Sequence, residues 1–448
     1  MVPCPRVPEH VSGDYDADGR TDTELSTQGD VEKLAGCTDV VGSLYVRNGD
    51  ITDLTPLANL RRIGGSLRVY GNSDPKIFAG PGSLAGLEGL EAVGGLYLEK
   101  TRLTDLAPLA GLTEIAGDVR LERNALLVSL EGLHNLTHIG GALMVNLSPA
   151  LTDLTGLRGL RAIGVRLWLG GLPISSLHGL EGLTTIGTVG GESHVGLFSL
   201  DELTTLEALA GVEWRPEHNI WIYETGIPDL SLFAGVEALT RLDIDGNAVL
   251  TSLAGLEALT TVSGELRLGR NEKLTELGAL AGLRSVGALT WEGTALTDIV
   301  MPALEQPVAL RISDNDQLTS LSFLSGATQL ASLILEDNVQ LAGVPELSAL
   351  VEVDGSLELR ANAAMTDLDD LAALTRVGGR LAVVYNAEIF QSVAEDWAAP
   401  IQVDGDRKIV GNKGYDAPPL EPCPWANDGE CDASVCDARD DGADCLSD

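Results

Sequence analysis

Aromatic side chains are scarce in this chain. Phe, Trp and Tyr together make up 4% of its 448 residues, although 44% of the residues are hydrophobic. An ordinary globular core of this size uses more rings. A stacked array can rely on Leu, Ile, Val and Ala, because each coil packs only on its neighbours. The scarcity of rings therefore favours a repeat architecture.

Basic residues are also few, with 29 Lys and Arg against 66 Asp and Glu and a formal net charge of -37. This balance argues against nucleic acid and against anionic membrane surfaces, which basic patches recognise. It fits a soluble, exported protein, or one held in salty or calcium-containing surroundings. The excess of Arg over Lys, with abundant Ala and Gly, suggests a GC-rich bacterial source.

Long apolar runs are absent as well. No segment approaches about 18 uninterrupted apolar residues, so no membrane span is predicted. No signal peptide precedes Cys4, and we expect that a leader was removed. The six cysteines lie near the two ends and none lies in the body of the chain. That distribution predicts disulfide-stapled caps and a secreted or cell-surface location.

A repeating unit fills the body of the chain, and Leu130–Val145 shows it most clearly as L-x-x-L-x-x-L-x-x-I-G-G-x-L-x-V. Apolar residues fall at every third position in its first half and alternate in its second half, which is typical of a strand with one buried face. The first inward strand residue recurs in steps of mostly 22 to 24 residues, at Leu44, Leu67, Leu96, Val119, Leu143, Leu167, Ile220, Leu242, Leu266, Leu289, Leu310, Leu333, Leu357 and Leu381.

Two steps are longer. The step from Leu67 to Leu96 contains an inserted loop, and the step from Leu167 to Ile220 spans about two coils, with the missing coil expected near residues 192–197. A last coil is expected through Ile401 and Val403. The period predicts a mainly β fold, a right-handed parallel β-solenoid of about 16 coils. Residues 44–412 form it, as one array or as two joined near residues 188–218.

Asparagines recur after the predicted strands, and glycine pairs recur before them. We interpret the asparagines after the strands as a stacked ladder that satisfies buried backbone groups, at Asn72, Asn124, Asn146, Asn247, Asn271, Asn315, Asn338, Asn362 and Asn386. The glycine pairs precede the strands and are expected to adopt positive φ, at Gly64-Gly65, Gly94-Gly95, Gly140-Gly141 and Gly378-Gly379.

Residues 1–43 are predicted to cap the first coil, with a short helix within residues 25–36 whose Val31 and Leu34 face inward. Cys4-Pro5, this helix and then Cys37 before V-x-G-x-L-x-V resemble the receptor L-domain family, the ligand-binding modules of insulin- and epidermal-growth-factor-type receptors. The resemblance covers about residues 4–405 and implies a leucine-rich-repeat-like solenoid and a Cys4–Cys37 disulfide. This array is much longer than the receptor modules, whose ligand-contact residues match no motif here.

A D-x-D-x-D-G run precedes that helix, with carboxylates at Asp14, Asp16 and Asp18. Alternate carboxylates around a Gly turn can wrap a calcium ion. The twelfth position of a full EF-hand loop is Leu25 rather than Glu. The run is therefore either a partial calcium site or a solvated acidic loop.

Residues 413–422 form a Pro-rich linker to a cysteine-rich tail, residues 423–448. A tail of this length cannot fold on apolar burial alone. It resembles a Lin-12/Notch repeat that keeps four cysteines instead of six. The matching residues are Cys436-Asp437 and Asp441-Gly-Ala-Asp444-Cys445. The resemblance implies calcium ligands at Asp437, Asp441 and Asp444, with Asp432 or Asp440 as a further candidate. It also implies, among the three possible pairings, the disulfides Cys423–Cys436 and Cys431–Cys445. The alternative is a disulfide knot with solvated acids.

One side chain of each strand points outward between the two inward ones. Reading these positions gives Tyr45, Arg68, Tyr97, Arg120, Met144, Trp168, Trp221, Asp243, Arg267, Thr290, Arg311, Ile334, Glu358 and Ala382. Aromatic residues and arginine are typical of binding hot spots. We predict a ligand site in the middle of the array, formed by Tyr97, Met144, Trp168, Trp221 and Tyr223 and rimmed by Arg120 and Arg166. The alternative is ordinary cross-strand stacking.

Catalytic motifs are not found. The six histidines include no HExxH zinc motif, no nucleophile elbow occurs, and no glycine-rich run has the context of a phosphate loop. The sequence therefore predicts a monomeric, non-catalytic recognition or adhesion protein that binds a protein or glycan at a cell surface. A structural spacer is the second hypothesis, and a polysaccharide-active β-helix enzyme is the third.

Overall fold

The computed structural model describes residues 22–47, 51–71, 81–188, 191, 193–305 and 308–414. Within these ranges a continuous parallel ladder links one strand of every coil to the corresponding strand of the next. Its strands are Thr23–Leu25, Leu44–Arg47, Arg62–Tyr70, Ala92–Glu99, Val119–Glu122, Ala142–Asn146, Arg166–Gly170, Ser193–Leu200, His218–Thr225, Arg241–Asp245, Thr261–Gly269, Ser285–Glu292, Ala309–Ser313, Ser332–Glu336, Leu357–Arg360, Leu381–Val384 and Arg407–Val410.

A second, shorter ladder forms just before the glycine corner of the coils. Four of the long strands extend into it, and it also contains the two-residue strands Asp39–Val40, Glu114–Ile115, His138–Ile139, Ala162–Ile163, Thr185–Ile186, Ala238–Leu239, Gln329–Leu330, Glu352–Val353, Arg376–Val377 and Gln402–Val403. The remaining side of many coils is a single 3-10 turn. These turns are Thr55–Leu57, Ala107–Leu109, Thr155–Leu157, Glu207–Leu209, Ser231–Phe233, Gly278–Leu280, Ser322–Leu324, Pro345–Leu347 and Asp369–Leu371.

The core is a column of aliphatic side chains inside the coils. In one coil Leu106, Leu109, Leu112 and Ile115 are each 0% exposed, and the same holds for the strand residue Val119. The third-position pattern thus supplies the turn sides of the core and the alternating pattern supplies its sheet side. The predicted mainly β, leucine-rich-repeat-like parallel solenoid is confirmed.

The register derived from the repeat is also confirmed. Cα pairing joins all fourteen predicted inward residues in order, from Leu44 with Leu67 to Leu357 with Leu381. The strand of the missing coil is Ser193–Leu200, and its Val195 pairs with both Leu167 and Ile220. Pairing therefore runs without a break through residues 188–218, and the division into segments stays a prediction. In the last coil Val403 belongs to the shorter ladder, Ile401 is buried directly before that short strand, and Arg407–Val410 forms the long strand.

The first described residues add a strand and a capped helix. Thr23–Leu25 pairs with Leu44–Val46, so Leu25 extends the ladder rather than starting the helix. The helix spans Gln28–Lys33, and Thr27 caps it in a reciprocal capping box with Asp30. Val31 and Leu34 are buried, as predicted. A second α-helix, Gln391–Ala398, packs at the other end of the described ladder.

The asparagine ladder is present, with changes in its membership. Each fully buried Asn accepts a hydrogen bond from the backbone N–H of the equivalent residue in the preceding coil and donates to a strand carbonyl. Asn362, for example, accepts from the N–H of Asn338 at 3.1 Å and donates to the Leu335 carbonyl at 2.9 Å. The assignment of Asn146 was wrong, because it ends a strand and Ser148 occupies the ladder position, accepting from the Asn124 N–H at 3.3 Å. Asn72 lies outside the described residues.

The glycine pairs do not adopt positive φ, which corrects that expectation. They are required for space, because a Cβ on Gly140 would lie 2.1 Å from the Ala116 carbonyl oxygen and one on Gly378 would lie 2.2 Å from that of Asp354. Positive φ occurs instead immediately after the long strand, at mostly non-Gly residues such as Arg123 and Leu147. There the backbone N–H continues the ladder: Arg123 donates to the Asn146 carbonyl at 2.9 Å.

Candidate binding face of the sheet

The outer face of the long ladder carries the predicted row in the predicted register. Tyr97 pairs with Arg120, Arg120 with Met144, Met144 with Trp168, and Trp221 follows after one intervening residue. Most of these side chains are half-buried, because each leans on the residue of the next coil about 4.8 Å away. The expectation that the whole row is exposed was wrong at four positions, which are buried: Tyr45, Asp243, Glu358 and Ala382.

Five rings on three neighbouring strands form one contact group, which we call the ring cluster: Trp168, His194, Phe198, Trp221 and Tyr223. The centroids of Trp168 and Phe198 lie 4.4 Å apart, and those of Trp168 and Trp221 lie 6.0 Å apart. Phe198 meets Tyr223 edge-on at 5.1 Å, and His194 stacks on Trp221 at 5.5 Å. The structure thus brings together three of the residues predicted for the site.

Gly196 is the floor of the ring cluster. It occupies the outward position between Trp168 and Trp221 in the ladder. A Cβ on Gly196 would lie 2.3 Å from Cε2 of Phe198 and 2.7 Å from Cε3 of Trp168, so only glycine lets the two rings lie across this strand. Sequence reasoning missed Phe198, His194 and Gly196, because their coil falls inside the double-length step. The alternation in residues 193–198 was the available signal.

Polar groups border the ring cluster at both ends. At one end the Arg166 guanidinium lies 5.5 Å from the centroid of Trp168. At the other, the Tyr223 hydroxyl donates to Asp243 Oδ2 at 2.6 Å, and Arg241 contacts the same oxygen at 3.0 Å. Burial and this hydrogen bond to a carboxylate raise the pKa of Tyr223 above its ordinary value. Tyr223 is therefore a fixed hydrogen-bond donor.

The predicted residues Tyr97 and Arg120 belong to a separate group and lie three and two ladder steps from Trp168, respectively. The Tyr97 ring lies 4.5 Å from the Arg68 guanidinium and 5.4 Å from that of Arg120. Asp118 accepts from Tyr97 at 3.3 Å and from Arg120 at 2.8 Å. Burial raises the pKa of Asp118, but the Ala142 N–H and Arg120 outweigh it and the pKa is lowered overall. Met144 pairs with a member of each group and links them.

Ion pairs dominate the face beyond the ring cluster. Arg241 pairs with Glu265 at 2.6 Å, Arg267 with Asp245 at 2.8 Å and with Glu292 at 2.7 Å, and Arg311 with Glu336 at 2.7 Å. Most of these pairs join adjacent coils. The acidic and basic residues in this half of the face thus neutralise each other, whereas the ring cluster presents apolar surface.

The other predicted sites fall mostly outside the described residues. This applies to the calcium candidates Asp14, Asp16, Asp18, Asp432, Asp437, Asp441 and Asp444 and to the cysteines Cys4, Cys423, Cys431, Cys436 and Cys445. Cys37 is described and is buried at 3% exposure. In the described part of the chain no group of His, Cys, Asp and Glu side chains is arranged to hold a metal ion. The calcium sites and the disulfide pairings stay predictions.

A depression of about 300 Å³ lies on the 3-10 side of the coils, between residues 204–210 and 227–232. Its charged lining residues are Glu207 and Asp229, and no histidine, cysteine, lysine or arginine lines it. It therefore has carboxylates without the neighbouring Lys or Arg that a β-helix polysaccharide lyase would use. No helix among the described residues is long and apolar enough to cross a membrane.

Comparison with known proteins yields structural likeness only. No family model matches the chain, including those of the two families named above, and no curated protein matches it. Among solved structures, an internalin from Listeria monocytogenes is 18% identical over 85% of this chain and 89% of its own, with a TM-score of 0.39. The TLR13–ssRNA13 complex is 15% identical over 88% and 67%, with a TM-score of 0.38.

A leucine-rich-repeat protein of Leptospira interrogans is 14% identical over 85% of this chain and 95% of its own, with a TM-score of 0.35. TM-scores this low do not bear on the function of this chain. The assignment to a leucine-rich-repeat-like solenoid therefore depends on the period, the parallel ladder and the asparagine ladder of the chain itself.

Proposed function

We propose that this chain is a non-catalytic recognition or adhesion protein, secreted or held at a cell surface, that binds a protein or glycan through the outer face of its sheet. The ring cluster carries this proposal. Half-exposed Trp and Tyr side chains next to arginine are characteristic of binding hot spots, because ring burial gains much free energy at low entropic cost. In a chain with 4% aromatic residues, such a concentration exceeds what stacking alone requires.

The remaining predicted features support export. The resemblance of the start to receptor L-domains and of the tail to Lin-12/Notch repeats implies disulfide caps and bound calcium, both suited to an extracellular protein. The net charge of -37 disfavours nucleic acid as the ligand.

A spacer without a specific ligand is the alternative. The ion pairs of the second half of the face favour it, because they satisfy that surface internally. An enzyme ranks third, since the described depression has carboxylates but no Lys or Arg beside them.

The test is a screen of the purified protein against glycans and cell-surface fractions, repeated with Trp168→Ala/Trp221→Ala. We expect the double variant to lose ligand capture and to keep a melting temperature near that of the wild type, because both rings are half-buried on the surface of the sheet. Arg311→Ala, on the ion-paired half of the same face, is the matched control and should capture normally. Capture that survives the double substitution would refute the proposed site.

A further inference from the structure

We propose that the ring cluster is a binding site for a neutral saccharide chain, an inference that rests on the proposed function and names the class of its ligand. Four of the rings, those of Trp168, Phe198, Trp221 and Tyr223, form a contiguous but tilted platform around Gly196, with interplanar angles of 30° for Trp168 and Phe198, 50° for Trp168 and Trp221, and 87° for Phe198 and Tyr223. Sugar rings present C–H groups on their faces, and the negative face of an aromatic ring attracts these hydrogens. Their hydroxyls need polar partners at the edge of such a platform.

The size of the ring cluster favours a saccharide over a protein. Across the strands the cluster spans two ladder steps, roughly 10 Å, and along the strands it spans one two-residue repeat. Its footprint is therefore on the order of 100 Å². A standard protein interface buries about 800 Å² on each partner. On the side of Asp243 the neighbouring surface is occupied by the ion pairs of Arg241 and Arg267, which a flat protein partner would have to break. A chain of a few sugar units fits the platform alone.

The polar atoms around the platform favour a ligand rich in hydroxyls. Asp243 is 1% exposed. Its Oδ2 accepts two hydrogen bonds, from Tyr223 and Arg241, but its Oδ1 has no hydrogen-bond partner among the described residues. The Nε atoms of Arg241, Arg267 and Arg166 are buried and without partners in the same way. A buried polar atom without a partner is unfavourable, because it has lost its hydrogen bonds to water. A hydroxyl both donates and accepts, so a saccharide can supply both missing partners.

These atoms lie at the two ends of the platform. Arg166 stacks on Trp168, and Asp243 bonds to Tyr223 and pairs with Trp221 in the ladder. Arg241 and Arg267 are about 33% and 28% exposed in their side chains, so a ligand on the rings can reach the arginines that border Asp243. An apolar platform between two polar ends matches a chain of sugar rings lying across the strands.

Two other ligand classes fit less well. A quaternary ammonium group requires a gap between rings, whereas the rings of this cluster are in contact with centroids 4.4 to 6.0 Å apart. An anionic polysaccharide would be repelled at longer range by the net charge of -37.

The test is titration of the full chain with purified neutral hexasaccharides (cello-, xylo-, malto- and chitohexaose) and with hexagalacturonate. Calorimetry and tryptophan fluorescence measure the binding. We expect binding of at least one neutral hexasaccharide and not of the anionic one. Trp221→Ala should weaken the affinity for the neutral hexasaccharide about tenfold or more, and Asp243→Asn should weaken that affinity about fivefold. Trp221→Phe keeps a ring and should retain most of the affinity, and Arg311→Ala should bind as the wild type does.

Binding of none of the neutral hexasaccharides would overturn the inference, as would preference for hexagalacturonate or equal affinity in Trp221→Ala. The proposed function fails separately. A protein ligand that is captured through Trp168 and Trp221 while every saccharide fails would leave recognition intact and remove only the saccharide. Should Trp221→Ala unfold, the comparison of Trp221→Phe with Asp243→Asn decides the question.

Discussion

Replacing Asn338 with Ala should weaken the solenoid by an amount that the ladder geometry predicts. Asn338 is 0% exposed. Its Oδ1 accepts from the Asn315 backbone N–H at 3.3 Å, and its Nδ2 donates to the Ile312 carbonyl at 2.9 Å. Alanine leaves one backbone donor and one backbone acceptor buried without partners. At about 1–3 kcal/mol for each group, the free energy of unfolding should fall by about 2–6 kcal/mol.

Urea unfolding followed by circular dichroism measures this loss, and hydrogen exchange of the Asn315 amide localises it. Local exchange is needed because stacked repeats do not always unfold in one cooperative step. Asn338→Ser should lose roughly half as much, since the hydroxyl keeps the acceptor role, as Ser148 does for Asn124 at 3.3 Å.

The matched control is Asn135→Ala. Asn135 is exposed and donates to the Ala110 carbonyl at 2.9 Å, where water can replace it. Its loss should stay within about 0.5 kcal/mol. If Asn338→Ala costs no more than this control, the buried ladder does not stabilise the coils and our account of it is wrong.

Three further predictions concern other parts of the chain. Burial, followed by the charge of Arg215, lowers the pKa of His218 below its ordinary value near 6.5. The unfolded chain therefore binds the proton more readily than the folded chain, and the free energy of unfolding should fall as the pH drops below about 6.5. Urea midpoints at pH values either side of 6.5 should show a smaller drop in His218→Asn than in the wild type, with His138→Asn, an exposed site, behaving as the wild type. A chelator should lower the melting temperature or expose the tail to protease, and Asp441→Ala with Asp444→Ala should remove most of that effect; a tail equally resistant with and without chelator would count against calcium. Gly196→Ala should leave the melting temperature nearly unchanged but reduce ligand capture, because its Cβ displaces Phe198 and Trp168, and unaltered capture would contradict the platform geometry.

Most of the fold followed from two periods in the sequence. Spacing by three and by two places each aliphatic residue on a definite side of a coil, and each coil then repeats its neighbour. The register of Trp168 with Met144 could therefore be derived by counting residues. Counting failed at the coil of Val195, where the turn before the strand departs from the repeat. The same failure hid Gly196 and Phe198, the floor and one ring of the candidate site.

Burial on the outer face could not be derived in the same way. Alternation assigns Asp243 to the outside of the sheet, and yet Asp243 is 1% exposed. Its burial depends on Tyr223, Arg241 and Arg267, which come from its own and adjacent coils and lean over it. Side-chain direction across a sheet depends on partners about 20 residues away, and no local pattern encodes that choice. For the same reason Tyr97 was grouped with Trp168, although it stacks on Arg68.

The distribution of contacts divides the outer face into two functional parts. Pairs such as Arg311 with Glu336 are partly exposed and stabilise the fold by about 0–1 kcal/mol each. A ligand on that half would have to break such pairs and would gain little apolar burial in return. At the ring cluster a ligand would gain apolar burial, because the half-buried rings still offer apolar area. It would also gain hydrogen bonds instead of breaking ion pairs, because the polar atoms at the ends of the cluster still lack partners. We therefore expect the binding free energy to be concentrated between Arg166 and Asp245, and loss of Trp168 or Trp221 should affect ligand capture far more than loss of any ion pair beyond them.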